Sequence, residues 1–96
     1  MKKFLILFHD SWERKPEIMA AWQAWFAAVG DRFVDSGNPF AAGFEVTRSG
    51  SRELAPADGA ATGYSIVSAE SFDEATTLLE GCPFNTSVRI YEASPM

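Results

Sequence analysis

Apolar and polar positions divide the chain into predicted strands and helices. Residues 2–8, KKFLILF, have the length of a strand, and from Phe4 to Phe8 they are apolar on both sides of an extended chain. After Pro16, apolar residues recur every three or four positions, which predicts one long helix to about Ser36, with Gly37 as its C-terminal stop. The apolar stripe of this helix consists of Ile18, Trp22, Trp25, Val29 and Phe33.

The second half of the chain contains further strand patterns and one short helix. Residues 44–48 alternate between apolar and polar positions, and 51–55 can return as the second arm of a hairpin. Strands are also predicted at 63–69 and 87–93. Ser71 and Glu74 have the spacing of a capping box, ahead of a helix that Gly81 ends.

The order of these elements is strand, helix, strand, strand, helix, strand. It predicts an α+β fold of the ferredoxin-like βαββαβ type, with an antiparallel sheet and both helices on one face. The first strand is apolar on both sides, with Phe4, Ile6 and Phe8 in one row and Leu5 and Leu7 in the other. Because the helices cover only one row, we expect two sheets to pack face to face in a homodimer.

Composition limits the class of protein. The chain has 96 residues, enough for a single domain over 1–96, and its 47% hydrophobic content excludes a disordered chain. Thirteen acidic against eight basic side chains give a net charge of −5, and no Lys/Arg cluster is present, so nucleic acid is not an expected partner. No apolar run is long enough to span a membrane. A cytoplasmic protein is expected, since the apolar run after Lys3 has no signal cleavage site.

Several stretches resemble the YCII-related, or DGPF-domain, family of the dimeric α+β barrel superfamily. They are KKFLILFHD, AAWQAWFAAVGDRFVDSGNPF, TGYSIVSAESFDEATTLLEGCP and VRIYEASPM, in the order that the family uses. The chain has ELAPADGAA where the family's Asp-Gly-Pro-Phe would stand, and KPEI at the start of the long helix lacks the His that has been proposed for some members. The resemblance implies a homodimeric α+β barrel and implies no particular reaction.

His9, the only histidine, is the natural candidate for acid/base chemistry, because an unperturbed imidazole titrates near neutral pH. It follows the apolar strand, where the sheet, the first loop and the helix start should meet. This geometry brings Glu13, Glu17 and Tyr64 into range of His9. Glu13 and Tyr64 are the predicted catalytic partners, and Glu17 is the alternative carboxylate. The alternative is a histidine that only forms a structural hydrogen bond at the dimer interface.

Other residues around this point are candidates for binding. Asp10, Trp12 and Glu17 are expected to contact a ligand, with Trp12 as its aromatic wall. Trp22, Trp25 and Phe26 could line the same pocket, but their helical spacing favours a core role. A metal site is not expected, because no second His supports His9, Asp10 and Glu13. No Gly-rich phosphate loop is present, so no cofactor is expected.

Two functions from different classes remain open at this stage. The first is a small cofactor-free isomerase or lyase that acts on a small organic molecule near His9. The second is a non-catalytic homodimer that binds a small ligand or a partner. A cavity beside a His9 that is hydrogen-bonded to a carboxylate or to Tyr64 favours the enzyme, and a filled interior with an exposed His9 favours the binding module.

Overall fold

The computed structural model describes residues 1–9, 15–55, 59–85 and 87–95, and it has an α+β architecture. Its elements in chain order are β1 (Lys2–Phe8), α1 (Pro16–Val29), a 3₁₀ turn (Gly30–Arg32), β2 (Phe33–Asp35), β3 (Phe44–Thr47), β4 (Gly50–Glu53), β5 (Gly63–Ala69), α2 (Phe72–Thr77) and β6 (Val88–Ala93). Four strands form the main sheet in the order β2-β5-β1-β6, and all neighbouring pairs are antiparallel. This order is consistent with a ferredoxin-like arrangement.

The core lies between one face of this sheet and the two helices. Side chains alternate along β1, so Phe4, Ile6 and Phe8 all point to the helices and are buried. From α1, Trp22 and Trp25 pack edge to face against Phe8, with ring centroids 5.3 and 6.1 Å away. The predicted core role of the helical tryptophans is confirmed, since both belong to the buried cluster and Phe26 packs against it.

The first helix is shorter than its apolar stripe predicts. It ends at Val29, and Gly30 adopts a positive φ of 57° while its amide donates to the carbonyl of Phe26. The expected continuation to Ser36 is wrong, because the chain turns and enters β2, which pairs with β5. Phe33 still packs on the ring of Trp25 at 5.4 Å. Phe33 is therefore apolar because it contacts the core from a strand. The spacing of apolar residues alone cannot show whether such a residue lies on a helix or on a strand.

The sequence places the second core strand at the wrong segment. β3 and β4 pair only with each other in a separate two-stranded sheet, so the predicted hairpin is confirmed but the strand at 44–48 does not join the main sheet. The three-residue β2 takes that position.

Gly37, just after β2, approaches β5 so closely that a Cβ there would lie 1.7 Å from the carbonyl oxygen of Tyr64, which excludes other residues at this point.

The predicted N-cap is present at the start of α2, but the return hydrogen bond of the capping box goes to Glu70, the residue before the cap. The Ser71 hydroxyl accepts from the amide of Glu74 at 3.1 Å. The Glu74 carboxylate accepts in turn from the amide of Glu70 at 3.2 Å. One N-terminal amide of the helix, that of Glu74, is thereby satisfied, and the contact with Glu70 fixes the chain that enters the six-residue helix. Arg32 of the 3₁₀ turn forms an ion pair with the same carboxylate and so ties α2 to the end of α1.

The opposite side of the sheet carries the second apolar row. Register places Leu5 beside Ile66 and Tyr91, and Leu7 beside Tyr64 and Arg89. We call this side the open face and define it by those six residues. Leu5, Leu7, Tyr64 and Ile66 are half-buried, whereas Arg89 and Tyr91 are exposed. No described helix packs on the open face, so the single chain leaves an apolar surface in contact with solvent.

Candidate functional site

His9 lies directly beyond the last residue of β1, and its ring is half-buried. Its Nδ1 atom is 3.2 Å from the carbonyl oxygen of Gly59. Its Nε2 atom is shielded from solvent and has no hydrogen-bond partner within the described parts of the chain. A buried polar atom without a partner costs free energy, so this nitrogen is the most conspicuous unsatisfied group at the site.

The contact with Gly59 determines which ring nitrogen carries the proton. A carbonyl oxygen only accepts hydrogen bonds, so Nδ1 must be the donor in this contact. In the neutral imidazole, Nε2 then has a free lone pair. Nδ1 is held by the backbone carbonyl of Gly59, so Nε2 can act as a base or as a hydrogen-bond acceptor. Acid/base residues in enzymes are commonly oriented in this way.

Tyr64 lies on the open face, but its hydroxyl is engaged away from His9. It donates to the carboxylate of Asp35 at 2.8 Å, and the ring of Phe40 stacks on Tyr64 at 5.8 Å. The hydrogen bond to Asp35, with some desolvation and the nearby negative charge, raises the pKa of Tyr64, while a hydrogen bond with Asn38 opposes the shift. Tyr64 is therefore a neutral, fixed aromatic wall.

The remaining sequence candidates are distributed as follows. Asp10, Trp12 and Glu13 lie outside the described residues. Glu17 is exposed in the first turn of α1, where its charge favours the positive end of the helix. Among the described residues, no hydrogen bond or ion pair joins His9 to Glu17 or to Tyr64. The predicted pairing of His9 with a carboxylate or with Tyr64 is not seen in the described contacts.

Arg89 is a residue that the sequence analysis did not select. It sits on β6 opposite Leu7, and it therefore shares the open face with the residues that lead to His9. The available signal was the alternation of β6, in which Val88 and Ile90 point to the core and leave Arg89 on the other side. Alternation alone does not show which strand lies next to β1. The neighbours of Arg89 are therefore known only from the pairing of β6 with β1 in the structure.

A separate groove of about 730 Å³ opens on the helix side of the sheet, between α1 and the segment after β2. Aromatic side chains form much of its wall, and the polar side chains along it are Gln23 and Ser36. Its lining residues are Met19, Trp22, Gln23, Phe26, Phe33, Ser36, Gly37, Pro39, Phe40 and Ala41. The volume suits a small molecule, but no titratable side chain lines it, so it offers no acid/base chemistry.

Neither a metal-binding cluster nor a membrane-spanning helix occurs in the described part of the chain. Those residues contain no group of three or more His, Cys, Asp or Glu side chains arranged to hold a metal ion. None of the helices within 1–9, 15–55, 59–85 and 87–95 has the length and apolar character required to cross a membrane.

Comparisons with known proteins add no relative to this geometry. No protein-family model, no curated protein and no solved structure matches the chain. The functional argument therefore depends on His9, on the open face and on the groups that these bring together.

Proposed function

We propose that the protein is a homodimeric, cofactor-free enzyme of the isomerase or lyase type that uses His9 as its base. The observation that carries this proposal is the state of the imidazole, in which Gly59 holds Nδ1 while the shielded Nε2 has a free lone pair and no described partner. A base that is oriented by its second nitrogen and kept from bulk water is suited to abstract a proton from a bound small molecule.

The reaction requires no external oxidant or reductant. Nε2 takes a proton from a carbon next to a carbonyl group, so a C–H bond breaks, an N–H bond forms, and the substrate becomes an enolate. The imidazolium then returns the proton to another carbon of the same molecule, which is an isomerisation. Alternatively, the enolate expels a leaving group from the neighbouring carbon, which is a lyase reaction. The Gly59 carbonyl stabilises the imidazolium through the Nδ1 proton.

The proposed dimer explains how a pocket forms around His9. His9 directly follows β1, on which Leu5 and Leu7 are only half-buried in the single chain. A second sheet packed on this face would bury the apolar row and enclose the space near His9. The strand order β2-β5-β1-β6 supports a ferredoxin-like fold of the dimeric α+β barrel type. The proposal includes membership of the YCII-related family and a cytoplasmic location.

Hydrogen-deuterium exchange into a substrate tests the proposal. The dimer is incubated in D₂O with a panel of lactones and enolisable ketones, and deuterium at carbon is followed by proton NMR. We expect exchange above the buffer rate for at least one compound, and its loss in His9→Asn. The asparagine side-chain amide can still donate to Gly59, so the free energy of unfolding should change by less than about 1 kcal/mol. Gln23→Ala, an exposed change on α1, is the control for nonspecific effects.

Other outcomes contradict the proposal. If no compound exchanges faster in the presence of the protein, the non-catalytic binding module becomes the better interpretation. If His9→Asn leaves exchange intact and lowers the free energy of unfolding by about 2 kcal/mol or more, the imidazole has a structural role as a buried hydrogen-bonding group.

A further inference from the structure

Arg89 stands alone as a charged residue among the six that define the open face. Its partner in the antiparallel register is Leu7, and its diagonal neighbour on β1 is Leu5, while His9 follows directly after the last residue of β1. Along β6, the residues two positions away are Ser87 and Tyr91. None of these neighbours is acidic. The guanidinium therefore lies on a surface whose nearest side chains are apolar, aromatic, hydroxyl or imidazole groups.

The described structure assigns no counter-ion to Arg89. The side chain is exposed, and no hydrogen bond or ion pair of Arg89 occurs within the described residues. The acidic residue closest in sequence, Glu92, lies on the opposite face of β6 and contacts Lys2 at 3.7 Å. Arg32 and Arg52, in contrast, both have carboxylate partners. Arg48 likewise has no carboxylate partner among the described residues, so Arg89 differs from it in its position opposite Leu7 on the open face.

From this arrangement we infer that Arg89 binds the carboxylate of the substrate on which His9 acts. The inference rests on the proposed function and specifies its substrate class, a small carboxylic acid that also contains a carbonyl-activated C–H bond. Arginine suits this role because its planar guanidinium binds a carboxylate through two parallel hydrogen bonds. Packing of a second sheet on the open face would remove water from the guanidinium. The free-energy gain from pairing it with an anion would then be larger, because an unpaired buried charge is costly.

The spacing of the two groups fits a small molecule. Diagonal neighbours on one face of an antiparallel pair lie about 7–8 Å apart. Arg89 pairs with Leu7, and His9 lies two residues further along the chain, just past the end of β1, so a separation of this order is expected. An acid bound at the guanidinium would extend over Leu7 toward the end of β1, where His9 follows. Tyr64, on the other side of Leu7, would form an aromatic wall. Arg89 would then bind and orient the substrate, while His9 would move the proton.

Binding of benzoate, compared with that of the neutral isostere benzamide, tests the role of Arg89. The probes are titrated at constant ionic strength into the ¹⁵N-labelled dimer, and the amides of Leu7, His9 and Arg89 are followed by NMR. We expect benzoate to shift these amides, benzamide to bind more weakly, and Arg89→Gln to raise the Kd for benzoate about tenfold. Arg48→Gln is the matched control, because Arg48 is an exposed arginine in the turn between β3 and β4. It should leave the Kd unchanged.

Each other result has a distinct meaning. Equal weakening by Arg89→Gln and Arg48→Gln, or equal binding of benzoate and benzamide, would overturn the inference. The inference would also fail if Arg89→Gln dissociated the dimer while benzoate left the amides unshifted. Arg89 would then stabilise the dimer by contacting the partner subunit and would not bind a carboxylate. Failure of the enzymatic proposal is recognised separately: benzoate would bind through Arg89, but no carbon acid would exchange its proton in D₂O.

Discussion

At the scale of single residues, the interaction between Tyr64 and Asp35 makes a titration prediction. The hydrogen bond to Asp35, partial desolvation and the carboxylate charge all favour the neutral phenol, so the pKa of Tyr64 is raised above its usual value of 10.0. A raised pKa in the folded state stabilises the fold at pH values below the unfolded pKa. This contribution is lost as the pH rises through the raised folded value.

The titration can be measured on Tyr64 alone. The chain has two tyrosines, so Tyr91→Phe leaves a single phenol whose tyrosinate absorbance can be followed with pH. We expect a pKa above that of free tyrosine. Adding Asp35→Ala should lower it, because the largest cause of the shift is removed. A midpoint that does not move in Asp35→Ala would show that the carboxylate does not hold the hydroxyl in solution.

The sequence predicts that His9 is a candidate site residue, but it does not predict the contacts of the imidazole. Its position at the end of an apolar strand made it a candidate for acid/base chemistry. The sequence could not show that Nδ1 meets the Gly59 carbonyl, because that contact joins residues 50 positions apart. The hydroxyl of Tyr64 was likewise assigned to His9, since nothing in the sequence indicates that Asp35 lies on the neighbouring strand.

At the scale of elements, the packing of α1 on the sheet predicts a large effect of Trp22→Ala. Trp22 is only 7% exposed, and its ring packs on Phe8 and Trp25. Loss of the ring should lower the free energy of unfolding by about 3–5 kcal/mol, as for other buried aromatic residues. Chemical denaturation monitored by circular dichroism would measure this change. The adjacent exposed residue gives the control, Gln23→Ala, for which a change within about 0.5 kcal/mol is expected.

A loss below about 1 kcal/mol in Trp22→Ala would contradict a core role. It would indicate that the ring lies mainly in the open groove on the helix side, which Trp22 also lines. The two situations differ physically because a core cavity cannot refill with water at low cost, whereas a groove can.

Elements with strong local signals were predicted well from the sequence. β1 and β5 are strands of seven residues with strand-like patterns, and α2 begins at the predicted N-cap Ser71, whose hydroxyl accepts from the amide of Glu74. β2 has only three residues and is defined by its pairing with β5, so its local pattern could not distinguish it from the end of the preceding helix. The alternation in β3 was correctly identified as extended, but alternation does not specify which sheet a strand joins.

At the scale of the whole molecule, the open face determines the assembly that we propose. The chain buries one row of β1 and leaves the other half-covered, although both rows are apolar. Each Leu- or Ile-sized side chain that a second copy covers contributes roughly 1.5–3 kcal/mol before the entropy of association is subtracted. An interface above about 1,500 Å² in total is typical of stable complexes. The expected solution species is therefore a dimer at micromolar concentration.

A charge placed at the centre of the open face tests this assembly. Ile66 is half-buried beside Leu5, so Ile66→Lys would force an unpaired ammonium group into the proposed interface. We expect light scattering after gel filtration to show a dimer for the unmodified protein and a monomer for Ile66→Lys. Val46→Lys introduces the same charge on the separate hairpin, where Val46 is 79% exposed, and should leave the dimer intact. A monomeric unmodified protein, or equal dissociation by both variants, would exclude the open face as the dimer interface.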